Sequence, residues 1–338
     1  MNKNILSQKL QSLKKFPNVN SSIVDKFGNI IESSSDWDLV KINPFQFALQ
    51  NDFKQDETVD LFIHAAKIGL FDFEWNLICP MCGGIVHSHY DIGEINPEKF
   101  HCTVCDIFID LDLNNYVEVS FSIDPSVHTV NINPFIDYKN YRRYFFSPNY
   151  QPSKEFVDYF MNEAFLDFKS IQPDEKVTIR FQAEPNKLYR LVSADNNSFV
   201  RLKFKEEISN AHQMVDIDLL KSGFSAETLS LPAGNIVLNI TSHLSRSSGF
   251  FLFLADFKSA MAIFTKQPPK FTPFMTGKIL LNNQNFRDLF RIQTLPNHFK
   301  LKVSNVTILF TDLKSSTELY DKRGDMFAYN LVEEHFRH

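Results

Sequence analysis

The sequence predicts a mixed α+β protein with several domains, and three observations carry this prediction. In the first 72 residues, apolar side chains recur with the i, i+3, i+4, i+7 spacing of helices. Four cysteines follow as two Cys-x-x-Cys pairs. Beyond residue 171, apolar and polar residues alternate, as they do in half-buried strands. We therefore expect an N-terminal helical bundle, a four-cysteine zinc ribbon and an antiparallel β-sandwich.

Length and composition restrict the class of protein. A chain of 338 residues is expected to form two to three domains, and 43% hydrophobic with 22% charged residues is typical of folded globular protein. The formal net charge is −5 and no basic cluster stands out, which argues against nucleic acid as a partner. No apolar run approaches 18 residues and the N-terminus has no hydrophobic signal segment, so neither a membrane partner nor secretion is expected. These features predict a cytoplasmic protein.

Three short helices are predicted in the N-terminal segment, 1–72. The first covers Ile5 to Phe16, the second begins at Pro44, and the third runs from Asp56 to Gly69, a residue suited to the end of a helix. Three such helices fit either a winged-helix-like domain or a bundle that packs against the next domain. The bundle is favoured because no basic recognition helix is visible.

The segment 73–122 contains the strongest chemical motif of the chain. Its two knuckles match the spacing of a closed, structural four-thiolate zinc site, and they use all four cysteines: Cys79, Cys82, Cys102 and Cys105. Gly83 and Gly84 give the first knuckle the backbone freedom of a tight turn. A disulfide pair is disfavoured in the cytosol, and replacement of one cysteine by His87, His89 or His101 is the less favoured alternative.

An aromatic loop with a helix is predicted for 123–170, the helix covering Lys154 to Phe168. In 171–265 six strands are predicted to form the β-sandwich: 177–181, 187–192, 199–204, 227–231, 235–240 and 250–254. A sensory or partner-binding role and a spacer role both remain open for this domain, because a fold does not define a function. Residues 266–302 are expected to form a connector with a short helix from Asn285 to Arg291.

The final segment, 303–338, combines a buried strand, a polar turn and an amphipathic helix. The strand is Val306 to Phe310, and Asp312 follows it directly. A carboxylate at this point either caps the next helix or holds a divalent cation against phosphates bound at the helix N-terminus. Gly324 and Asp325 interrupt the predicted helix.

The string Val306-Thr-Ile-Leu-Phe-Thr-Asp-Leu-Lys-Ser-Ser-Thr-Glu-Leu-Tyr320, followed by Gly324-Asp325, Ala328, Leu331-Val332 and His335-Phe336, resembles the opening of the class III adenylate/guanylate cyclase catalytic domain. The resemblance implies the first strand and helix of a ferredoxin-like domain, in which Asp312 is one of two carboxylates that bind two Mg²⁺ or Mn²⁺ ions. It also implies that the backbone of the next five residues lies against the phosphates of ATP or GTP: Leu313, Lys314, Ser315, Ser316 and Thr317. Members of that family usually carry Gly where this chain has Ser315.

The same resemblance implies cyclic nucleotide synthesis in second-messenger signalling, with cyclic AMP the expected product, and a homodimer formed through the catalytic domain. The second metal carboxylate is expected some forty residues after Asp312, beyond His338, so this polypeptide alone is expected to be inactive. The alternative is a non-enzymatic module in which the zinc ribbon and β-sandwich bind a protein or another ligand.

Overall fold

The computed structural model of the chain describes residues 1–17, 19–94, 99–290 and 322–337. The chain divides into two compact units, Met1–Leu301 and Lys302–His338. The first unit contains nine α-helices and fourteen strands within its described residues, and the described part of the second unit contains one long helix. The protein is thus a mixed α+β protein with several sheets, as the sequence predicts.

Four helices open the first unit: α1 (Lys3–Leu13), α2 (Ser21–Ser33), α3 (Pro44–Asn51) and α4 (Gln55–Lys67). The three predicted helices correspond to α1, α3 and α4, whereas α2 was not predicted. Its buried residues have helical spacing and form its inner face: Val24, Phe27, Gly28 and Ile31. Phe27 and Phe62 make an edge-to-face contact at the centre of the bundle, with ring centroids 5.2 Å apart.

A three-stranded antiparallel sheet packs against this bundle. Its order is β2 (Ile85–His89), β1 (Phe71–Ile78), β5 (Val117–Ile123). A separate hairpin of β3 (Lys99–Cys102) and β4 (Ile107–Asp110) carries the second cysteine pair. The helices, this sheet and the cysteine hairpin share one hydrophobic core, so the predicted segments 1–72 and 73–122 pack as a single body.

After the three-stranded sheet, the chain continues with helix α5 (Tyr138–Phe145) and the short strand β6 (Tyr150–Gln151). Helix α6 (Lys154–Tyr159) continues as a π-helical turn to Ala164, and strand β7 (Phe165–Ile171) follows. The predicted helix to Phe168 is therefore wrong in its last turn. Phe165 to Ile171 form a strand instead, and this strand pairs with another strand of a large sheet.

That sheet has seven strands: β7, β8 (Lys176–Ala183), β9 (Leu188–Ser193), β10 (Ser198–Leu220), β11 (Gly223–Phe224), β12 (Thr228–Ser242) and β13 (Ser248–Leu254). The order is β7-β13-β9-β10-β12-β8, with β11 beside β10. All six predicted strands overlap strands of this sheet, but 187–192 and 227–231 each begin one residue too early, and 227–231 and 235–240 belong to the single strand β12. Pairing is antiparallel except between β10 and β12, which are parallel, so the prediction of a wholly antiparallel domain is wrong for that pair.

Strand β10 bends back on itself. It has 23 residues and would span about 75 Å if it were straight. However, Ser198 at its start accepts a hydrogen bond of 2.8 Å from the Phe224 N–H, and Phe224 pairs with Leu219 near its end. Strand β12 follows the bend at Gly234, where φ is +125° and an added Cβ would lie 2.4 Å from the Ser209 carbonyl oxygen. The doubled strands enclose a hydrophobic core of their own.

The first unit ends with α7 (Phe257–Lys266), β14 (Lys270–Phe271), α8 (Gly277–Asn282) and α9 (Gln284–Leu289). β14 pairs with β6, and α9 overlaps the predicted connector helix but begins one residue earlier, at Gln284. In the second unit, α10 (Asp325–Arg337) begins directly after Gly324, where the sequence predicts an interruption. Across the described ranges, no helix is long and apolar enough to cross a membrane.

Candidate metal centre

The four cysteines converge as the sequence predicts. Their sulfur atoms all lie within 4.8 Å of one another, with 3.9 Å between Cys79 and Cys105 and 3.6 Å between Cys82 and Cys102. Thiolates at the usual zinc–sulfur distance of about 2.3 Å on a tetrahedral ion are separated by about 3.8 Å. A disulfide requires about 2.05 Å, so no pair is bonded, and the arrangement is compatible with a structural metal site.

Each knuckle is a tight turn closed by the same backbone hydrogen bond. The Gly83 N–H donates to the Cys79 carbonyl oxygen at 2.8 Å, and the Asp106 N–H donates to the Cys102 carbonyl oxygen at 2.7 Å. Gly83 and Asp106, one position after the second cysteine of each pair, have φ values of +72° and +61°. This left-handed residue reverses the chain and directs both thiols of a pair to one side.

Crowding of the thiols makes a bound cation necessary if all four are to ionise. Hydrogen bonding from Cys102 and the other thiols lowers the pKa of Cys79, while contacts with Cys102 and Cys79, together with burial, raise the pKa values of Cys82 and Cys105. One thiolate is thus stabilised at the expense of its neighbours. A divalent ion at the centre would remove this conflict, so the donor set fits a structural metal.

The first knuckle is attached to the segment that leads into β6. The Tyr150 hydroxyl donates a hydrogen bond to the Met81 carbonyl oxygen, and the Ser147 N–H donates to the Gly83 carbonyl oxygen at 2.7 Å. Tyr150 packs so closely on Gly83 that an added Cβ would lie 2.4 Å from the Tyr150 Cβ. Glycine is therefore required here by contact as well as by φ.

The second knuckle is attached to the seven-stranded sheet by two arginines. Arg190 of β9, which has no exposed surface, donates hydrogen bonds to the carbonyl oxygens of Thr103 and Val104, at 2.6 and 2.7 Å. Arg201 of β10 forms a bidentate pair with Asp106, both distances being 2.7 Å. The two turn carbonyls between Cys102 and Cys105 thus receive charged donors from another sheet.

Charges around Asp106 reinforce this attachment. Burial by itself would raise the pKa of Asp106, but hydrogen bonds from Arg201 and the charge of Arg190 lower it below its ordinary value. Both guanidinium groups also lie over the Phe199 ring, each 4.6 Å from its centroid. The cysteine hairpin is consequently fixed to β9 and β10 by ionic and aromatic contacts together.

The histidines proposed as alternative ligands do not join the cluster. Among the described residues, the potential metal-binding group consists of the four cysteines alone. His101 lies with its Nε2 2.9 Å from Asp106 Oδ1, outside the sulfur cluster, and the rings of His87 and His89 lie beside each other on β2.

The residues assigned to nucleotide binding lie outside the described part of the chain. These are Asp312 and the five phosphate-binding positions, Leu313, Lys314, Ser315, Ser316 and Thr317. Their roles therefore stay predictions from the sequence resemblance.

Sequence reasoning missed the arginines that hold the second knuckle. Arg190 belongs to a predicted strand in which polar residues should face solvent, and no local signal marks it as buried. Asp106 carried a usable signal, since it occupies the position after its cysteine pair that Gly83 occupies after the other.

A family model described as "Family of unknown function (DUF5939)" matches residues 5–288. This match covers both cysteine pairs and the whole seven-stranded sheet. No curated protein and no solved structure matches the chain.

Proposed function

This chain belongs to the DUF5939 family, and we propose that it combines a zinc-stabilised regulatory region with the start of a class III nucleotide cyclase catalytic domain. The observation that carries this proposal is the continuous string from Val306 to Tyr320, with its matching positions up to Phe336. The proposed reaction is conversion of ATP, or GTP, to the cyclic nucleotide and pyrophosphate by a homodimer, as part of intracellular signalling.

Three observations support the division into a regulatory and a catalytic part. The boundary between the compact units lies at Lys302, one residue before the predicted start of the catalytic segment. The family match ends at residue 288, before this boundary. In addition, α10 starts directly after Gly324, at the interruption that the sequence places within the amphipathic segment.

In the proposed site, Asp312 holds metal and the following turn holds phosphate. Asp312 would supply one of two carboxylates for Mg²⁺ or Mn²⁺, and the backbone N–H groups of Leu313 to Thr317 would donate to phosphate oxygens. Paired metal ions in such sites stabilise the attacking and leaving oxygens. The role of this chain in that chemistry is to position the ions and the triphosphate.

For the cysteine cluster we propose Zn²⁺. Four thiolates are the soft ligand set that selects zinc, and the sulfur separations fit a tetrahedral ion. Four thiolates leave no open coordination position, so the ion is structural. It keeps the two knuckles together and thereby holds Tyr150 on one side and Arg190 on the other.

The cyclase proposal is tested with the product of the complete reading frame that encodes this chain. Cyclic AMP and cyclic GMP are measured after incubation with ATP or GTP and Mn²⁺. The Asp312→Asn variant should lose at least about a hundredfold in kcat because one metal carboxylate is removed. The matched control, Asp110→Asn, changes an exposed carboxylate on the cysteine hairpin and should keep full activity.

Absence of both products from the unmodified protein would contradict the proposal, and so would an Asp312→Asn variant as active as the control.

A further inference from the structure

A cavity of about 190 Å³ lies beside the cysteine cluster. Cys82 and Cys105 line it, together with residues of α5, α6, α7 and β13. Its lining is mostly aromatic and aliphatic, with Phe156, Phe160, Phe253, Met261 and Phe264 among the contributors. The π-helical turn that ends α6 forms part of the lining, and such turns occur frequently at functional sites.

Two side chains of α5 contribute polar groups to the lining of this mostly apolar cavity. Tyr138 and Arg142 are four residues apart on α5, so they share one face of the helix, and both line the cavity. Among the residues that the structure describes, neither the Tyr138 hydroxyl nor the half-buried Arg142 guanidinium has a hydrogen-bond partner. Arg142 also forms no ion pair there. A cation next to apolar surface without a counter-charge is unfavourable.

No carboxylate that lines the cavity forms an ion pair with Arg142 in the described part of the chain. Asp256 also lines the cavity, but its carboxylate caps α7 by accepting hydrogen bonds from Ser259 N and Oγ, at 3.1 and 2.7 Å. The adjacent Arg143 differs from Arg142, because it pairs with Asp38 at 3.3 Å and lies over the Trp37 ring. Arg142 thus lines a mostly apolar cavity without an ion pair of its own among the described residues, and the charges nearest to it in the lining are those of Asp256 and the cysteine cluster.

We propose that this cavity binds a small monocarboxylate with an apolar body. The carboxylate accepts a bidentate pair of hydrogen bonds from Arg142 and one from the Tyr138 hydroxyl, which satisfies both groups. An engineered cavity of about 150 Å³ holds the six carbon atoms of benzene, so this space suits an apolar body of about eight non-hydrogen atoms. The proposal concerns binding alone and does not depend on the cyclase assignment.

Three lining residues that are partly exposed to solvent also suit such a ligand. Phe257 and Met261 of α7 are 46% and 48% exposed, and Met161 of the π-helical turn is 43% exposed. Helix α7 has no buried residue, and it is held to α6 by the stacking of Phe264 on Phe156 at 4.5 Å. An apolar ligand body would cover these side chains and add to the packing of α7.

Calorimetric titration of the purified chain with 3-phenylpropionate and with its uncharged analogue 3-phenyl-1-propanol tests the proposal. The carboxylate should bind at least about tenfold more tightly than the alcohol. In Arg142→Gln this preference should disappear, whereas the matched variant Arg143→Gln should keep it. The Arg142 side chain has no hydrogen bond or ion pair within the described ranges, so Arg142→Gln should unfold within a few degrees of the unmodified chain.

A second variant tests whether the ligand binds inside the cavity. Ala260→Phe adds a ring to the cavity lining and should abolish binding of both compounds. The proposal is overturned if 3-phenylpropionate does not bind at millimolar concentration, if the alcohol binds equally well, or if either Arg142→Gln or Ala260→Phe leaves carboxylate binding unchanged.

Discussion

Arg190 donates a hydrogen bond of 2.6 Å to the carbonyl oxygen of Thr103, across 87 residues of sequence. This contact joins the centre of the seven-stranded sheet to the turn between Cys102 and Cys105. The hydrophobic core of the helices also contains Cys79 and Cys102. The four-cysteine cluster is therefore one place at which the helical core and the sheet are joined.

Replacing Arg190 should weaken the attachment of the cysteine hairpin to the seven-stranded sheet and lower the free energy of unfolding. Arg190→Met leaves the carbonyl oxygens of Thr103 and Val104 buried without donors, so we expect a loss of about 2–4 kcal/mol in the free energy of unfolding. Arg180→Met changes an exposed arginine on β8 and should cost less than about 0.5 kcal/mol. Urea denaturation measures both. Equal stability of the two variants would show that the contact does not stabilise the fold.

The buried carboxyl group of Glu118 should make the free energy of unfolding depend on pH. It is 1% exposed; its Oε2 accepts hydrogen bonds from Ser147 and Asn149, while Oε1 is buried without a partner in the described structure. Burial raises its pKa, although these hydrogen bonds and Lys41 oppose the shift. The native state therefore binds the proton more tightly than the unfolded state does. The stabilising contribution is complete below the ordinary carboxyl range and is lost as pH rises through the raised pKa.

Glu118→Gln removes this titration and retains a side-chain oxygen for Ser147 and Asn149. The free energy of unfolding of the variant, relative to the unmodified chain, should increase with pH above about 4 and then level off. Denaturation at several pH values measures the difference. The control Glu206→Gln, at the exposed bend of β10, should show a constant difference. A variant that becomes relatively less stable as pH rises would contradict the sign of the shift.

Phe286 connects the last described helix of the first unit to the helical core. Its side chain is 2% exposed and makes edge contacts with Phe73 and Trp75, at centroid distances of 5.8 and 6.3 Å. Phe286→Ala should cost about 3–5 kcal/mol in the free energy of unfolding. Arg287→Ala, on the same helix, is the control, because its side chain forms a single hydrogen bond, to Gln284, among the residues that the structure describes.

The same helix tests the proposed regulation. In the complete gene product, replacement of residues 285–291 by a flexible linker of equal length should change the cyclase rate, because the connection between the core and the catalytic segment is lost. A cyclase rate equal to that of the unmodified protein would refute a transmitting role for α9.

Local patterns explain which features the sequence predicts. Cys-x-x-Cys spacing brings two thiols together within one turn, and a four-thiolate site follows from two such turns, so the cluster could be predicted without tertiary information. The aromatic stripe Phe156, Phe160, Ala164, Phe168 also suits a helix, but Phe165 to Ile171 gain a strand partner in β13. That pairing spans about 80 residues and has no local signature.

Long-range contacts also account for the other missed features. The parallel pairing of β10 and β12 depends on the bend near Ser209, which lies between two predicted strands. Burial of Arg190 depends on the cysteine hairpin that covers β9. In contrast, α2 was missed although the helical spacing of Val24, Phe27 and Ile31 is visible in the sequence. The role of Asp106 was missed although it occupies the same position after its cysteine pair as Gly83 does.

Native mass spectrometry of the purified chain, combined with elemental analysis, tests the metal centre most directly. We expect one zinc ion per chain, its loss in Cys102→Ser together with a lower unfolding temperature, and its retention in His87→Ala. A chain that is folded and metal-free with four reduced thiols, or a Cys102→Ser variant that keeps its zinc and its stability, would contradict the account.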